Sequence, residues 1–303
     1  MCIRDRRAGE PARVHWFPRG SPDFITGDVG TVPATDSLAG VNVTWLDGED
    51  RHVVWGTIPE GEVDTLALST RAPAREGGLR LLQLLDSAGI SVGEGLAIVT
   101  DTAGALGPAC RPGGVRSCPG AVRLARLPSP ALAEVVRGIL EPSQNWMTEQ
   151  LVRALAVHRG EVGSWSAGLD AVSDILQREA GVDSLDLSLR DGSGLSAYNL
   201  VTPRAVVAVL RRISDSPLDS LYRDALAAPG EADSTLEERL LWAEGRLQAK
   251  TGTISNVNSL SGYLAADSGR ELVFSILTNG SGLPAGVVRE RTDRVVALLA
   301  RYH

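Results

Sequence analysis

The sequence predicts an α+β fold in two parts, and three observations predict it. Residues 14–99 carry short apolar runs broken by turn residues, a β-like texture. From Ala131 the apolar residues recur with helical spacing between capping and breaking residues. Near the end, apolar runs at 257–266 and 271–279 flank Ala266-Asp267-Ser268-Gly269, a turn that closes an antiparallel hairpin. Helices followed by a hairpin and a last helix predict a layer of helices on an antiparallel sheet. The 303 residues allow one large domain or two smaller ones, with enough apolar content for a sizeable core.

In chain order, Val14-His15-Trp16-Phe17 is a short strand ended by Pro18. Residues 41–45 and 51–56 are two more, joined by Asp47-Gly48-Glu49-Asp50, whose Asp-Gly is a hairpin signal. Residues 63–68 form a further strand. Leu81, Leu84, Leu85 and Ala88 share one helical face, and Gly77-Gly78 predicts that this helix starts no earlier than Leu79. Gly89 stops it, and residues 90–92 and 96–99 read as strands.

Residues 100–130 are rich in Gly and Pro, and the domain boundary falls here, giving parts 1–128 and 129–303. Ser129 caps a helix over 130–140. Pro142-Ser143-Gln144-Asn145 interrupts it, and a second helix runs over 146–158. Further helices are expected at 169–180, ended by Gly181, at 203–213, at 219–227 and at 287–302, with a short strand at 185–189.

Composition excludes several function classes. Net charge is −7 and no basic cluster occurs, which argues against a nucleic-acid partner. No apolar run approaches the ~18 residues of a membrane span. The four histidines are scattered, and no cofactor or metal site is implied. Cys110 and Cys118 bracket a Pro-Gly-Gly turn. A disulfide there adds ~2–3 kcal/mol in the chain-entropy model and points to an oxidising compartment, with two free thiols as the alternative.

One pentapeptide concentrates the chemistry. Ala249-Lys250-Thr251-Gly252-Thr253 precedes the hairpin, and Lys250 is the only lysine in the chain. Taken alone, Lys-Thr-Gly is equally compatible with a solvated strand end. Two other motifs stand with it. Ser143-Gln144-Asn145 lies at a helix junction, and Asp191-Gly192-Ser193-Gly194-Leu195-Ser196 is followed by Asn199 and Thr202-Pro203. Asp191 and Ser193 read as a braced structural loop.

Ser-x-Asn at a helix junction, then Asp-Gly-Ser-Gly-Leu-Ser, then Lys-Thr-Gly-Thr resembles the D-alanyl-D-alanine carboxypeptidase/endopeptidase family, the class C low-molecular-mass penicillin-binding proteins. The stretch Val54-Trp55-Gly56-Thr57-Ile58-Pro59 is similar to that family's inserted accessory region. The resemblance implies a penicillin-binding/β-lactamase-like transpeptidase domain at 129–303 and a β-rich inserted region at 1–128. It implies acyl transfer through a serine ester on peptidoglycan stem peptides, inhibition by β-lactams, and an extracytoplasmic location. By the same resemblance, Ser143 relays a proton to the leaving amine, Asn145 holds the substrate amide, and Lys250 assists Ser143. Thr251 and Thr253 bind the terminal carboxylate, with the Thr253 N–H as one oxyanion donor. Gly252 lets the acyl group approach the strand.

The chain departs from the family pattern in one respect. The family nucleophile lies in Ser-x-x-Lys, but the residue three before the only lysine is Leu247, so no such motif occurs. The expectation is a fragment that lacks its N-terminal part and is inactive as it stands. Two other readings remain open at this point: a non-catalytic module that binds peptidoglycan peptides, and an unrelated secreted binding protein. The last requires Ser143 and Lys250 to lie far apart.

Overall fold

Strand β6 (Arg51–Pro59) organises the first part of the chain in the computed structural model. The structure describes residues 2–4, 6–15, 25–36, 38–46, 51–66, 68, 72–93, 95–98 and 126–303. The turn at 47–50 and the Cys110/Cys118 loop lie outside them. The chain divides into two compact units, Met1–Arg126 and Leu127–His303.

In the first unit β5 (Gly40–Leu46) pairs antiparallel with β6, from Gly40↔Thr57 to Leu46↔Arg51. On the other edge of β6 lie two short parallel strands end to end, β3 (Ile25–Thr26) and β4 (Val29–Val32). The break between them requires glycine. Gly27 has φ +111°, and a Cβ there would lie 2.0 Å from the carbonyl oxygen of Val54. A second sheet has the order β2 (Arg13–His15), β1 (Cys2–Arg4), β7 (Val63–Thr65). Ile3, Val29, Val54 and Ile58 form the buried core of this unit.

Two expectations fail here. Helix α1 (Pro73–Ser87) starts well before Leu79, because a proline in its first turn presets helical φ and offsets the cost of Gly77 and Gly78. Residues 90–92 and 96–98 are not strands. Ile90, Val92 and Ile98 are exposed instead. Leu96 packs over Gly78, where a Cβ would come within 2.4 Å of Leu96 Cδ1. The strand at 63–68 ends at Thr65.

The second unit has a three-stranded antiparallel sheet, β10 (Leu247–Ile254), β11 (Val257–Ala265) and β12 (Glu271–Asn279), in that order. The small pair β8 (Leu187–Ser188) and β9 (Leu200–Val201) closes the loop between them. Helices α2 (Leu132–Leu140), α3 (Asn145–His158), α4 (Trp165–Ala180), α5 (Pro203–Ser214) and α6 (Asp219–Arg223) precede the sheet, and α7 (Ala285–Tyr302) follows it.

Strand β11 is buried on both faces. Leu260 and Leu264 join Leu247, Ala249 and Phe274 in a cluster completed by Val296 and Ala300 of α7. Val288, Thr292, Val296 and Ala300 recur every four residues, which gives α7 one buried stripe. Tyr263, wholly buried, faces the other side and packs with Leu210 of α5. Its hydroxyl donates to the Leu210 carbonyl at 2.8 Å. The sheet is therefore held between α5 and α7.

Helix ends follow local chemistry. Thr202 caps α5 by accepting from the Ala205 N–H, and Gly181 ends α4 in the left-handed conformation. Ser129 is not a cap. The helix after it starts two residues later, with Ala131 at the cap position and no side-chain bond. Helix α6 ends at Arg223, short of the expected 227, because the chain turns there to pair Ala227 with Ala249.

Candidate functional site

Ser143 sits in the turn between α2 and α3, and its backbone is left-handed, φ +62°. L-residues enter that region at a cost of roughly 1–2 kcal/mol, so the surrounding turn must impose it. Pro142 precedes it, and on its other side the Gln144 N–H donates to the Ile139 carbonyl at 2.8 Å, folding the chain back onto α2. Gln144 then caps α3, its side-chain oxygen accepting from the Trp146 N–H at 3.2 Å. The middle residue of Ser-x-Asn thus serves the helix, and the two flanking residues are held by it. Asn145 is half-buried in the first turn of α3.

Lys250 comes to this turn from β10. Its Nζ donates to Ser143 Oγ at 2.7 Å, across 107 positions of sequence, and to its neighbour's carbonyl, Thr251 O, at 2.9 Å. Burial pushes the amine down from 10.5 to about 8. Around pH 8 the charged and neutral forms of this amine are therefore both populated.

The strand supplies more than the amine. The Ala249 N–H donates outward to Ala227 at 3.0 Å, away from β11. Antiparallel strands alternate the direction of their amide groups, so Thr251 and Thr253 also turn their N–H groups to that edge. Thr251 shares a hydroxyl–hydroxyl hydrogen bond of 2.8 Å with Thr235. Thr253 is exposed and makes only a weak 3.5 Å contact with Asn258. Gly252 lies on the same strand face as Lys250, paired with Ser259, and a Cβ there would lie 2.4 Å from Ser259 Oγ.

The 191–196 loop is braced as its sequence suggests. Asp191 accepts from the N–H groups of Gly194 (2.7 Å) and Ser196 (2.5 Å) and from the Asn199 carboxamide (2.7 Å). Two contributors escape sequence reasoning. Thr235 is 16 positions from its partner and lies in no motif. Glu149 binds this loop from α3, and its position four residues after Asn145, on the same helical face, is the one signal that points to it.

Ser143 and Lys250 are thus brought together, Thr251 and Gly252 follow Lys250 on β10, Asn145 stands two residues after Ser143, and Thr253 lies near the exposed end of the strand. The reading as an unrelated binding protein, which needs Ser143 and Lys250 far apart, fails on the 2.7 Å contact. Among the described residues no cluster of His, Cys, Asp or Glu could hold a metal ion, and no helix is long and apolar enough to cross a membrane.

Comparison with known proteins points the same way. The sequence profile of the D-Ala-D-Ala carboxypeptidase 3 (S13) family matches residues 3–302. A D-alanyl-D-alanine carboxypeptidase of Actinomadura sp. (strain R39) is 34% identical over 313 residues, covering 100% of this chain and 54% of that protein. The carboxypeptidase DacB of Mycolicibacterium smegmatis is 32% identical over 196 residues, 62% of this chain and 41% of that protein. The chain spans about half the length of these curated relatives. Among solved structures, penicillin binding protein 4 of Haemophilus influenzae, complexed with a β-lactam, superposes with a TM-score of 0.65 at 21% identity, covering 99% of this chain and 68% of that one. The fold is that of the penicillin-binding proteins.

Proposed function

The chain belongs to the D-Ala-D-Ala carboxypeptidase 3 (S13) family, and from that premise we propose that it carries part of the active site of a serine-type peptidase that removes terminal D-Ala from peptidoglycan stem peptides. The observation that carries this reading is the Lys250–Ser143 hydrogen bond beside the open edge of β10. An extended peptide can lie along that edge and take hydrogen bonds from the strand.

In this reading a serine ester forms with the carbonyl of the penultimate D-Ala, and water releases it. Ser143, in contact with an amine whose pKa lies near 8, passes the proton to the leaving D-Ala nitrogen. Asn145 holds the substrate amide from the start of α3. The hydroxyls of Thr251 and Thr253 take the terminal carboxylate, and the Thr253 N–H is an oxyanion donor. Gly252 keeps the strand face beside Lys250 free of side chain. Residues 1–128 are the inserted accessory region and 129–303 the peptidase part. The protein works outside the cytoplasm and is inhibited by β-lactams.

The nucleophile of this reading is a Ser-x-x-Lys serine that these 303 residues do not contain. It is supplied by sequence outside them, and the relatives' greater length supports that. The absent motif also favours a second reading, a module that binds stem peptides without cleaving them. One experiment separates the two. The genomic frame upstream of residue 1 is sequenced, and the protein extended by it is incubated with a fluorescent penicillin and with a D-Ala-D-Ala peptide. The peptidase reading expects an encoded Ser-x-x-Lys, a boil-resistant adduct and released D-Ala. A frame without the motif, or an extended protein that neither labels nor releases D-Ala, overturns it. Peptide binding without either reaction supports the second reading.

A further inference from the structure

We propose that Ser143 and Lys250 form a serine–lysine pair that accepts an acyl group on Ser143 Oγ from an activated carbonyl donor, with no other nucleophile. This goes beyond the peptidase reading, which gives Ser143 a proton-relay role only, and it does not depend on that reading.

Two independent features converge on Ser143. Its backbone is left-handed, φ +62°, at the tip of a turn between two helices. Strained, outward-presented serines of this kind are how some hydrolases expose a nucleophile. Its Oγ lies 2.7 Å from the amine of the chain's only lysine, within the reach a general base needs. The strand that carries the lysine also turns the Thr251 and Thr253 N–H groups to its outer edge. Burial of the amine adds to this, since it keeps a working fraction of Lys250 neutral near pH 8.

The step balances without a further reagent. Neutral Lys250 Nζ takes the proton from Ser143 Oγ as the Oγ–C bond forms. With 4-nitrophenyl acetate as donor, the C–O bond to nitrophenolate breaks and nitrophenolate leaves as the anion. The resulting ammonium returns its proton to solvent. Water later cleaves the acetyl ester to acetate and free Ser143.

The test uses the full 303-residue chain with 4-nitrophenyl acetate, followed by intact mass and peptide mapping. The expected result is one acetyl group on Ser143, removed by hydroxylamine as an ester is. It should form about tenfold faster at pH 9 than at pH 7, following the neutral fraction of an amine near 8. Lys250→Met should slow it by at least ~100-fold. Ser143→Gly, which adopts positive φ without strain and so keeps the turn, should abolish it. A hydroxylamine-stable amide on Lys250 in place of the ester overturns the proposal. So do the lack of any adduct on Ser143 and undiminished labelling in Lys250→Met. Any of these leaves the peptidase reading standing, because that reading takes its nucleophile from elsewhere. Failure of the extended protein to label penicillin leaves this pair untouched.

Discussion

Glu149 Oε1 accepts the backbone N–H of Ser193 at 2.8 Å, across 44 positions of sequence. The same carboxylate accepts from the Gly192 N–H at 3.1 Å and from the Trp165 indole at 2.9 Å. One side chain on α3 therefore ties together the 191–196 loop, the start of α4 and the helix that carries Asn145. Asn145 and this brace share a single rigid element, which is what a side chain held to fractions of an ångström requires.

Removing that carboxylate leaves two backbone N–H groups and an indole without their acceptor. Glu149→Ala should destabilise the chain by ~2–3 kcal/mol, and Glu149→Gln, which keeps one acceptor oxygen, by about half that. Urea unfolding followed by circular dichroism measures both. A change below ~0.5 kcal/mol for the alanine variant would show that the brace contributes nothing.

Helices α3 and α4 cross at Gly168. A Cβ there would lie 2.3 Å from the Val152 carbonyl oxygen, and backbone cannot swing aside as a side chain can. Gly168→Ala must push the helices apart, at ~2–3 kcal/mol, the upper range for overpacking. The thermal midpoint should fall by ~4–10 °C. An unshifted midpoint would contradict so close a crossing.

Gly252 differs in kind. An added Cβ meets only Ser259 Oγ, the end of a side chain that can rotate away. Gly252→Ala should therefore cost less than ~1 kcal/mol of stability. Its methyl would stand on the strand face of Lys250, so fluorescent-penicillin labelling of the upstream-extended protein should fall at least ~10-fold. Equal losses in folding and labelling would mean that Gly252 serves packing alone.

Lys250 links stability to pH. Its folded amine titrates near 8, against 10.5 ordinarily, and burial is the cause. Between those values the unfolded chain holds a proton that the folded chain has lost, so the contribution of Lys250 to stability rises with pH across that window. Below about pH 8 the fold carries the whole penalty of the buried ammonium. Lys250→Met should be more stable than the parent at pH 7 by ~1 kcal/mol, a figure discounted for the solvent-exposed part of the side chain. The advantage should vanish by about pH 10.5. Paired urea titrations at pH 7, 9 and 10.5 give the difference directly. A pH-independent difference would place the amine in water.

Much of this was open to inspection in the sequence. The hairpin of β11 and β12 is legible because alternation of apolar residues and an Asp-Ser-Gly turn are local signals. Helices α3, α4, α5 and α7 are legible for the same reason, through their periodic apolar faces and the signals at Gly181 and Thr202, although α4 starts at Trp165, four residues before the expected Leu169. The start of α1 and the supposed strands around 90–98 were misjudged on equally local grounds. Proline outweighed two glycines, and apolar residues without a pairing edge stayed exposed, with Leu96 set over Gly78 of the helix.

The sequence by itself determined which residue types stand where: one lysine, in Lys-Thr-Gly-Thr, and a Ser-x-Asn at a helix junction. It also determined that no Ser-x-x-Lys accompanies them. Only the tertiary structure decided that Lys250 reaches Ser143 and that burial brings its amine down from 10.5 to about 8. It alone showed that Gln144 caps the helix, that Thr235 binds Thr251 and that Glu149 braces the loop. The physical reason is range. Periodicity, turns and caps are set within a few residues, whereas hydrogen bonds and desolvation between distant segments exist only once β10 has been laid against the α2–α3 turn.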